Sequence, residues 1–142
     1  MDDRDDGVEP GFLDAPELMV HVEEALRLVN RDVATIGPGR ECRFRFFDEE
    51  RGRNGNAYVE TWDGHTGSGC GVHPREGADP VSALVAVAED AQDAVMHALW
   101  SAWPVCPGHR GGVHAREHDG AAVWWCGGGG HAVALIGEWP HR

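Results

Sequence analysis

Two cysteine–histidine pairs lie in the last third of the chain, and both residue types are common ligands of transition metals. The first pair is Cys106 and His109, with two residues between them, and the second is Cys126 and His131, with four. Zinc prefers four sulfur or nitrogen ligands in a tetrahedron, and two short turns that each donate two ligands would supply them. The spacing therefore predicts a zinc site with Cys106, His109, Cys126 and His131 as its ligands.

The residues inside each pair suit tight turns. Pro107 and Gly108 fill the first spacer, and proline and glycine supply the backbone angles that a knuckle needs. The second spacer is four glycines, which allow the backbone to curl back so that His131 can reach the same metal as Cys126.

The segment between the pairs contains Asp119-Gly120, a strong signal for a two-residue hairpin turn. A hairpin centred there pairs His118 with Ala121 and places Val113 opposite Cys126. It would carry Cys126 back toward the point where Cys106 follows a helix, so the sequence predicts that the two pairs meet.

Residues 100–137 resemble zinc-ribbon modules, in which two knuckles are joined by a hairpin. The likeness is carried by Trp103-Pro104-Val105-Cys106-Pro107-Gly108-His109 and by the pair at Cys126, with histidine replacing the second cysteine of each knuckle. The same stretch also resembles small uncharacterised actinomycete proteins, which implies a bacterial origin and brings no known activity. The resemblance implies a structural zinc, because four protein ligands leave no coordination position for a reactive water. This ligand set favours zinc but does not distinguish it from iron.

Two alternatives for the same region involve catalysis. His114-Ala115-Arg116-Glu117-His118 matches an inverted zinc-protease motif, but that chemistry needs a helix, and glycines bracket this segment closely on both sides. His114 also remains the substitute ligand if His131 does not bind. A thiol enzyme would use Cys126 with a histidine base, or Cys70 between two glycines. A small metal- or thiol-dependent enzyme is therefore the alternative function.

The predicted elements that position these residues form an α+β fold. They are a helix starting at Asp14 and ending at Gly37, a three-stranded antiparallel meander (41–47, 57–62 and 68–73), a long helix from Asp79-Pro80 to Trp103, and C-terminal strands at 112–118, 121–126 and 131–136. Residues 1–13 are predicted to be an acidic mobile tail. Residues 14–142 are predicted to form a single α+β domain that includes a zinc-ribbon-like subregion at 104–137.

The local sequence pattern predicts the positions of Asp14, Cys42 and Asp90 within their elements. Asp14 is predicted to cap the first helix, because Pro16 suits an early helical position. Cys42 alternates with arginines on the face of Phe44, so it is predicted to be a core residue. Asp90, like its acidic neighbours in the long helix, is predicted to face outward.

Composition narrows the function classes. The 142 residues include 24 acidic residues and 12 arginines and no lysine, for a net charge of −12. The basic run over 40–53 is interleaved with acidic residues. We therefore expect ion pairs between neighbouring strands and do not expect nucleic-acid binding. A protein partner is expected instead, and the negative charge suggests a basic one, as for an antitoxin or immunity protein.

The compartment is predicted from targeting signals and cysteine usage. No apolar stretch is long enough to span a bilayer, and the acidic start Met1-Asp2-Asp3 is unlike a signal peptide. The expected location is therefore the reducing cytoplasm. In that compartment, four cysteines indicate metal binding or catalysis more strongly than disulfide bonds.

Overall fold

The structure is a computed structural model that describes residues 11–12, 14–37, 40–46 and 55–139. Two α-helices, α1 (Met19–Ile36) and α2 (Pro80–Leu99), are each preceded by a short 3-10 helix, at Pro16–Leu18 and Pro74–Ala78. The strands are β1 (Arg43–Arg45), β2 (Tyr58–Glu60), β3 (Val113–His118), β4 (Ala121–Cys126) and β5 (His131–Leu135). One sheet pairs β1 with β2 and the other has the order β3-β4-β5, so the α+β class is confirmed.

Helices α1 and α2 pack against each other, and strands of both sheets pack on α2. The predicted apolar stripe of α1 is buried at Val22, Val29 and Val33, and α2 contributes small residues such as Ala88 and Ala91. Alanine at the contact lets the two helix backbones approach closely. Within the described residues, neither helix combines the length and the apolar character that crossing a bilayer requires.

The first sheet is held by a shared acid. Arg43 lies opposite Glu60 in the register, and both Arg43 and Arg45 form ion pairs with the Glu60 carboxylate at 2.8 Å. The cross-strand ion pairs predicted for this basic run are therefore present. Cys42 is 4% exposed, as predicted for a core residue, and burial raises the pKa of its thiol to about 12.

The prediction of a third meander strand at 68–73 is wrong. One isolated bridge forms there, between Val72 and Ala57, and a second joins Glu60 to Thr66, which precedes the predicted strand. Gly71 takes a positive φ of 77°, which interrupts extended backbone, and the Asn56 side chain donates to the Cys70 carbonyl. The segment is therefore an irregular loop along the edge of β2.

The start of α1 also differs from the prediction. Asp14 is not the helix cap; its carboxylate accepts the Gly11 N–H at 3.3 Å, and the chain enters α1 through the 3-10 turn. Phe12, assigned to the mobile tail, is 2% exposed and contacts Phe46 edge-to-face at 6.3 Å between centroids. Burial of an aromatic ring outweighs the acidic character of the flanking sequence at this position. The remainder of that tail, 1–10 and 13, lies outside the described residues.

Helix α2 ends earlier than predicted and turns an acid inward. It stops at Leu99, and Trp100 follows in the left-handed conformation with φ 57°. Asp90 does not face outward: it is 9% exposed, and its carboxylate accepts the backbone N–H of Val59 at 2.7 Å. The reason is that β2 presents this N–H to α2, and a buried donor needs an acceptor.

The C-terminal sheet follows the predicted register. His118 pairs with Ala121 and Val113 with Cys126, across a turn in which Asp119 and Gly120 have φ of 53° and 81°. These two positive φ angles are those of the hairpin turn that Asp-Gly favours. Strand β5 extends the sheet antiparallel to β4, with a register irregularity after Trp124.

Candidate metal centre

The first cysteine–histidine pair lies in the turn between α2 and β3. Val105 forms an antiparallel bridge with Gly112, and the Cys106 N–H donates to the Gly111 carbonyl at 2.8 Å. The turn is tied to α2 because the Gln92 side chain donates to the Val113 carbonyl. Cys106 and His109 are thus positioned at one end of the sheet.

The second pair lies in the β4–β5 hairpin, at the same end of the sheet. Cys126 and His131 are direct partners in the β4–β5 register, and Gly127–Gly130 form the connecting turn. Because Cys126 also lies opposite Val113, at the start of β3, the sheet brings this pair beside the first turn.

The two turns have the same backbone arrangement. Arg110 N–H donates to the Cys106 carbonyl at 2.7 Å, and Gly130 N–H donates to the Cys126 carbonyl at 2.8 Å. The fourth residue after each cysteine is also left-handed, with φ of 61° at Arg110 and 67° at Gly130. The histidines occupy different positions of this shared turn, the third in one case and the fifth in the other. This difference accounts for the unequal spacing of the pairs.

The four side chains converge on one point. Cys106 Sγ lies 3.5 Å from His109 Nδ1 and 3.7 Å from His131 Nε2, and Cys126 Sγ lies 3.6 Å from His109 Nδ1. All four candidate ligand atoms lie within 4.8 Å of one another. Zinc–sulfur and zinc–nitrogen bonds of about 2.3 and 2.05 Å at a tetrahedral angle place sulfur and nitrogen about 3.6 Å apart. The three observed sulfur–nitrogen separations therefore match the length of a sulfur–nitrogen edge around a tetrahedral zinc.

Surrounding groups orient the ligands. His131 Nδ1 lies 3.1 Å from the Ala132 carbonyl, which can only accept, so Nδ1 carries the proton and Nε2 is free to bind a metal. The Gly129 N–H donates to Cys126 Sγ at 3.3 Å, which fixes the position of that sulfur. Both cysteines are buried and both histidines are exposed, so sulfur approaches from inside and nitrogen from the solvent side.

The electrostatics favour ionised sulfur. The hydrogen bond from His109, assisted by backbone N–H groups of Gly108 and His109, lowers the pKa of Cys106 to about 6 despite burial. A metal binds the thiolate form of cysteine, and His109 Nδ1 would give up this hydrogen bond in order to bind the same metal.

Only one of the four spacer glycines is required by contact with the other turn. A Cβ at Gly129 would lie 2.2 Å from His109 Cε1, whereas a Cβ at Gly128 would have no neighbour within 4 Å. Gly130 has a positive φ of 67°, a conformation that glycine adopts without strain. Within the glycine run, Gly129 therefore allows the two turns to approach closely and Gly130 provides the backbone conformation. The sequence alone did not distinguish these two roles.

The other candidate residues lie elsewhere. His114 and His118 are on β3, a strand and not a helix, so the inverted zinc-protease motif lacks its required geometry. His118 contacts the Trp125 ring at 4.8 Å between centroids. Cys70 is exposed in the loop beside β2. In the described part of the chain, the cluster of Cys106, His109, Cys126 and His131 is the one group of three or more such side chains close enough to hold a metal ion.

Comparison of the chain with protein-family models, with curated proteins and with solved structures finds no significant match. The zinc-ribbon resemblance of residues 100–137 therefore stays a prediction from sequence.

Proposed function

We propose that the chain is a zinc protein in which Cys106, His109, Cys126 and His131 hold one structural Zn²⁺. The observation that carries the proposal is the set of sulfur–nitrogen separations of 3.5–3.7 Å. His109 Nδ1 lies 3.5 Å from Cys106 Sγ and 3.6 Å from Cys126 Sγ, so it faces both sulfurs at nearly equal distance. A cation at the centre satisfies both contacts.

Zinc is the favoured metal because two thiolates and two imidazoles in a closed tetrahedron match its preferences. Four protein ligands complete that coordination and leave no position for a water to be activated. The ion would fasten the turn after α2, which holds Cys106, to the β4–β5 hairpin, which holds Cys126. Its role is therefore to stabilise the C-terminal sheet.

The metal content of freshly purified protein tests this proposal. About one zinc per chain is expected by elemental mass spectrometry at a known protein concentration. Cys126→Ser should lose the metal, whereas Cys70→Ser, which changes an exposed cysteine outside the cluster, should retain it. Absence of metal from wild-type protein prepared without chelators would overturn the proposal.

We further propose that the chain is a non-enzymatic protein-interaction or regulatory module. Trp100 supports this role, since its side chain is 91% exposed on a left-handed residue next to the exposed Leu99. Tryptophan is enriched among the residues that dominate interface energies, and a net charge of −12 favours a basic partner. A basic protein recovered stoichiometrically with the wild type and lost with Trp100→Ala is expected; recovery of none contradicts the interaction role.

A thiol enzyme is the second candidate, and the lowered pKa of Cys106 beside His109 favours it. Its difficulty is access, because the Cys106 residue is only 1% exposed. Alkylation of metal-loaded protein separates the two functions. A catalytic thiol is modified at Cys106 while metal is bound, and a structural ligand is protected.

A further inference from the structure

A second feature of the molecule lies apart from the Cys/His cluster. A pocket of about 330 Å³, open to solvent on one side, is lined by α1, the first turns of α2, the β3–β4 turn and the end of β5. Its walls are mainly apolar, with Leu28 from α1, Leu84 from α2 and Ile136 from the segment after β5. The volume lies within the range of small-molecule sites, about 300–1,000 Å³.

One wall of this pocket is held rigidly by buried hydrogen bonds. The Asp32 carboxylate accepts the N–H of Gly137 at 2.7 Å and that of Trp139 at 3.0 Å, and the Ile136 N–H donates to the Ala122 carbonyl at 3.1 Å. A Cβ at Gly137 would lie 3.0 Å from Leu28 Cβ, so the segment is pressed directly against α1. The pocket is thus built into the packing of the fold and needs no induced closure.

The polar side chains that line the pocket are acceptors or acids. His21 Nδ1 lies 2.8 Å from the Gly77 carbonyl, so this nitrogen donates and Nε2 remains an acceptor. Glu24 and Glu138 contribute carboxylates, and Glu24 is already paired with Arg27. No arginine is among the described residues that line the pocket.

We propose that this pocket binds a small amphiphilic amine. The ammonium head would be recognised by the Glu138 carboxylate and by His21 Nε2, and the apolar body would pack against Leu84 and Ile136. The apolar walls favour the body, the acidic rim favours a positive head over a negative one, and the net charge of −12 adds to that preference. This site is independent of metal binding.

The proposal is tested on the intact protein as purified, with phenylbutylamine as the probe and phenylbutanol and phenylbutyrate as matched neutral and anionic compounds. Titration followed by amide NMR should shift resonances of pocket residues, and the amine should bind at least about tenfold more tightly than the carboxylate. No shift at millimolar amine, or equal binding of amine and carboxylate, overturns the proposal.

Two kinds of variant locate the site. Glu138→Gln should weaken the amine by about threefold to tenfold and leave the alcohol unchanged, whereas Glu117→Gln, an exposed acid on β3 outside the pocket, should change neither. Leu84→Trp should weaken binding of all three by narrowing the cavity; if circular dichroism shows that it is unfolded, Val81→Phe replaces it. Equal amine binding by Glu138→Gln and Glu117→Gln, or full binding by a folded narrowed-pocket variant, contradicts the assignment.

Discussion

The carboxylate of Asp32 on α1 accepts the indole N–H of Trp124 on β4 at 2.7 Å, and both residues are at most 1% exposed. The same carboxylate accepts two backbone N–H groups, from Gly137 and Trp139. An isolated buried charge is very costly, and three donors are what makes this one tolerable. The relationship joins the helical part of the chain to the sheet that carries the Cys/His cluster.

Asp32→Asn is expected to destabilise the fold by about 2–4 kcal/mol, because an amide nitrogen cannot accept the hydrogen bonds that one carboxylate oxygen now receives. Urea unfolding followed by tryptophan fluorescence measures the change. Glu23→Gln, at an exposed position of the same helix, is the control and should stay within about 0.5 kcal/mol of wild type. Equal stability of the two variants would contradict the role given to Asp32.

Gly129→Ala is expected to weaken zinc binding at least about tenfold, because the added methyl carbon would overlap the His109 ring. Gly128→Ala is the matched control and should bind zinc as wild type does, since its Cβ would point into open space. Competition with a chromophoric chelator reports both affinities. Equal loss in both variants would show that the spacer needs glycine for flexibility alone.

Chelation is expected to change which cysteines react. In the metal-loaded protein iodoacetamide should modify the exposed Cys70 and spare Cys106 and Cys126, and after metal removal all three should react. Removal of the metal should also lower the stability of the fold by about 3 kcal/mol or more. Mass spectrometry of peptides and thermal unfolding measure the two effects. If Cys106 and Cys126 remain unreactive after the metal is removed, burial and not metal binding protects them.

Asp90 is expected to make stability depend on pH. Burial, the largest cause, raises its pKa from 3.8 to about 6, so the folded state binds this proton more tightly than the unfolded state does. Its contribution is therefore fully present below pH 4 and is lost as the pH rises through 6, by about 2–3 kcal/mol.

The measurement is the stability difference between wild type and Asp90→Asn from pH 4 to 7. Asparagine keeps an oxygen for the Val59 N–H and removes the titration. The difference cancels the contributions of the other titrating groups, including the metal ligands. A difference that is flat across this range would rule out titration of a buried Asp90.

Sequence reasoning succeeded where the determining interactions are local. The Asp119-Gly120 turn has one favoured backbone, so the whole β3–β4 register followed from it. That register predicted that Cys106 and Cys126 lie close together in space. The helical periodicity predicted the buried apolar stripe of α1. These features depend on residues that lie no more than 20 positions apart, the separation of Cys106 from Cys126.

Sequence by itself therefore determined the composition of the cluster and the turns that carry it, because residue type and backbone preference are properties of short segments. Tertiary structure decided which polar groups are buried. The three donors to Asp32 lie 92 to 107 positions further along the chain, and the donor to Asp90 is Val59 on the neighbouring strand. The segment 68–73 forms a loop and not a strand, because Gly71 has a positive φ. The burial of a carboxylate depends on which distant N–H groups the packing brings to it, and no local pattern records that.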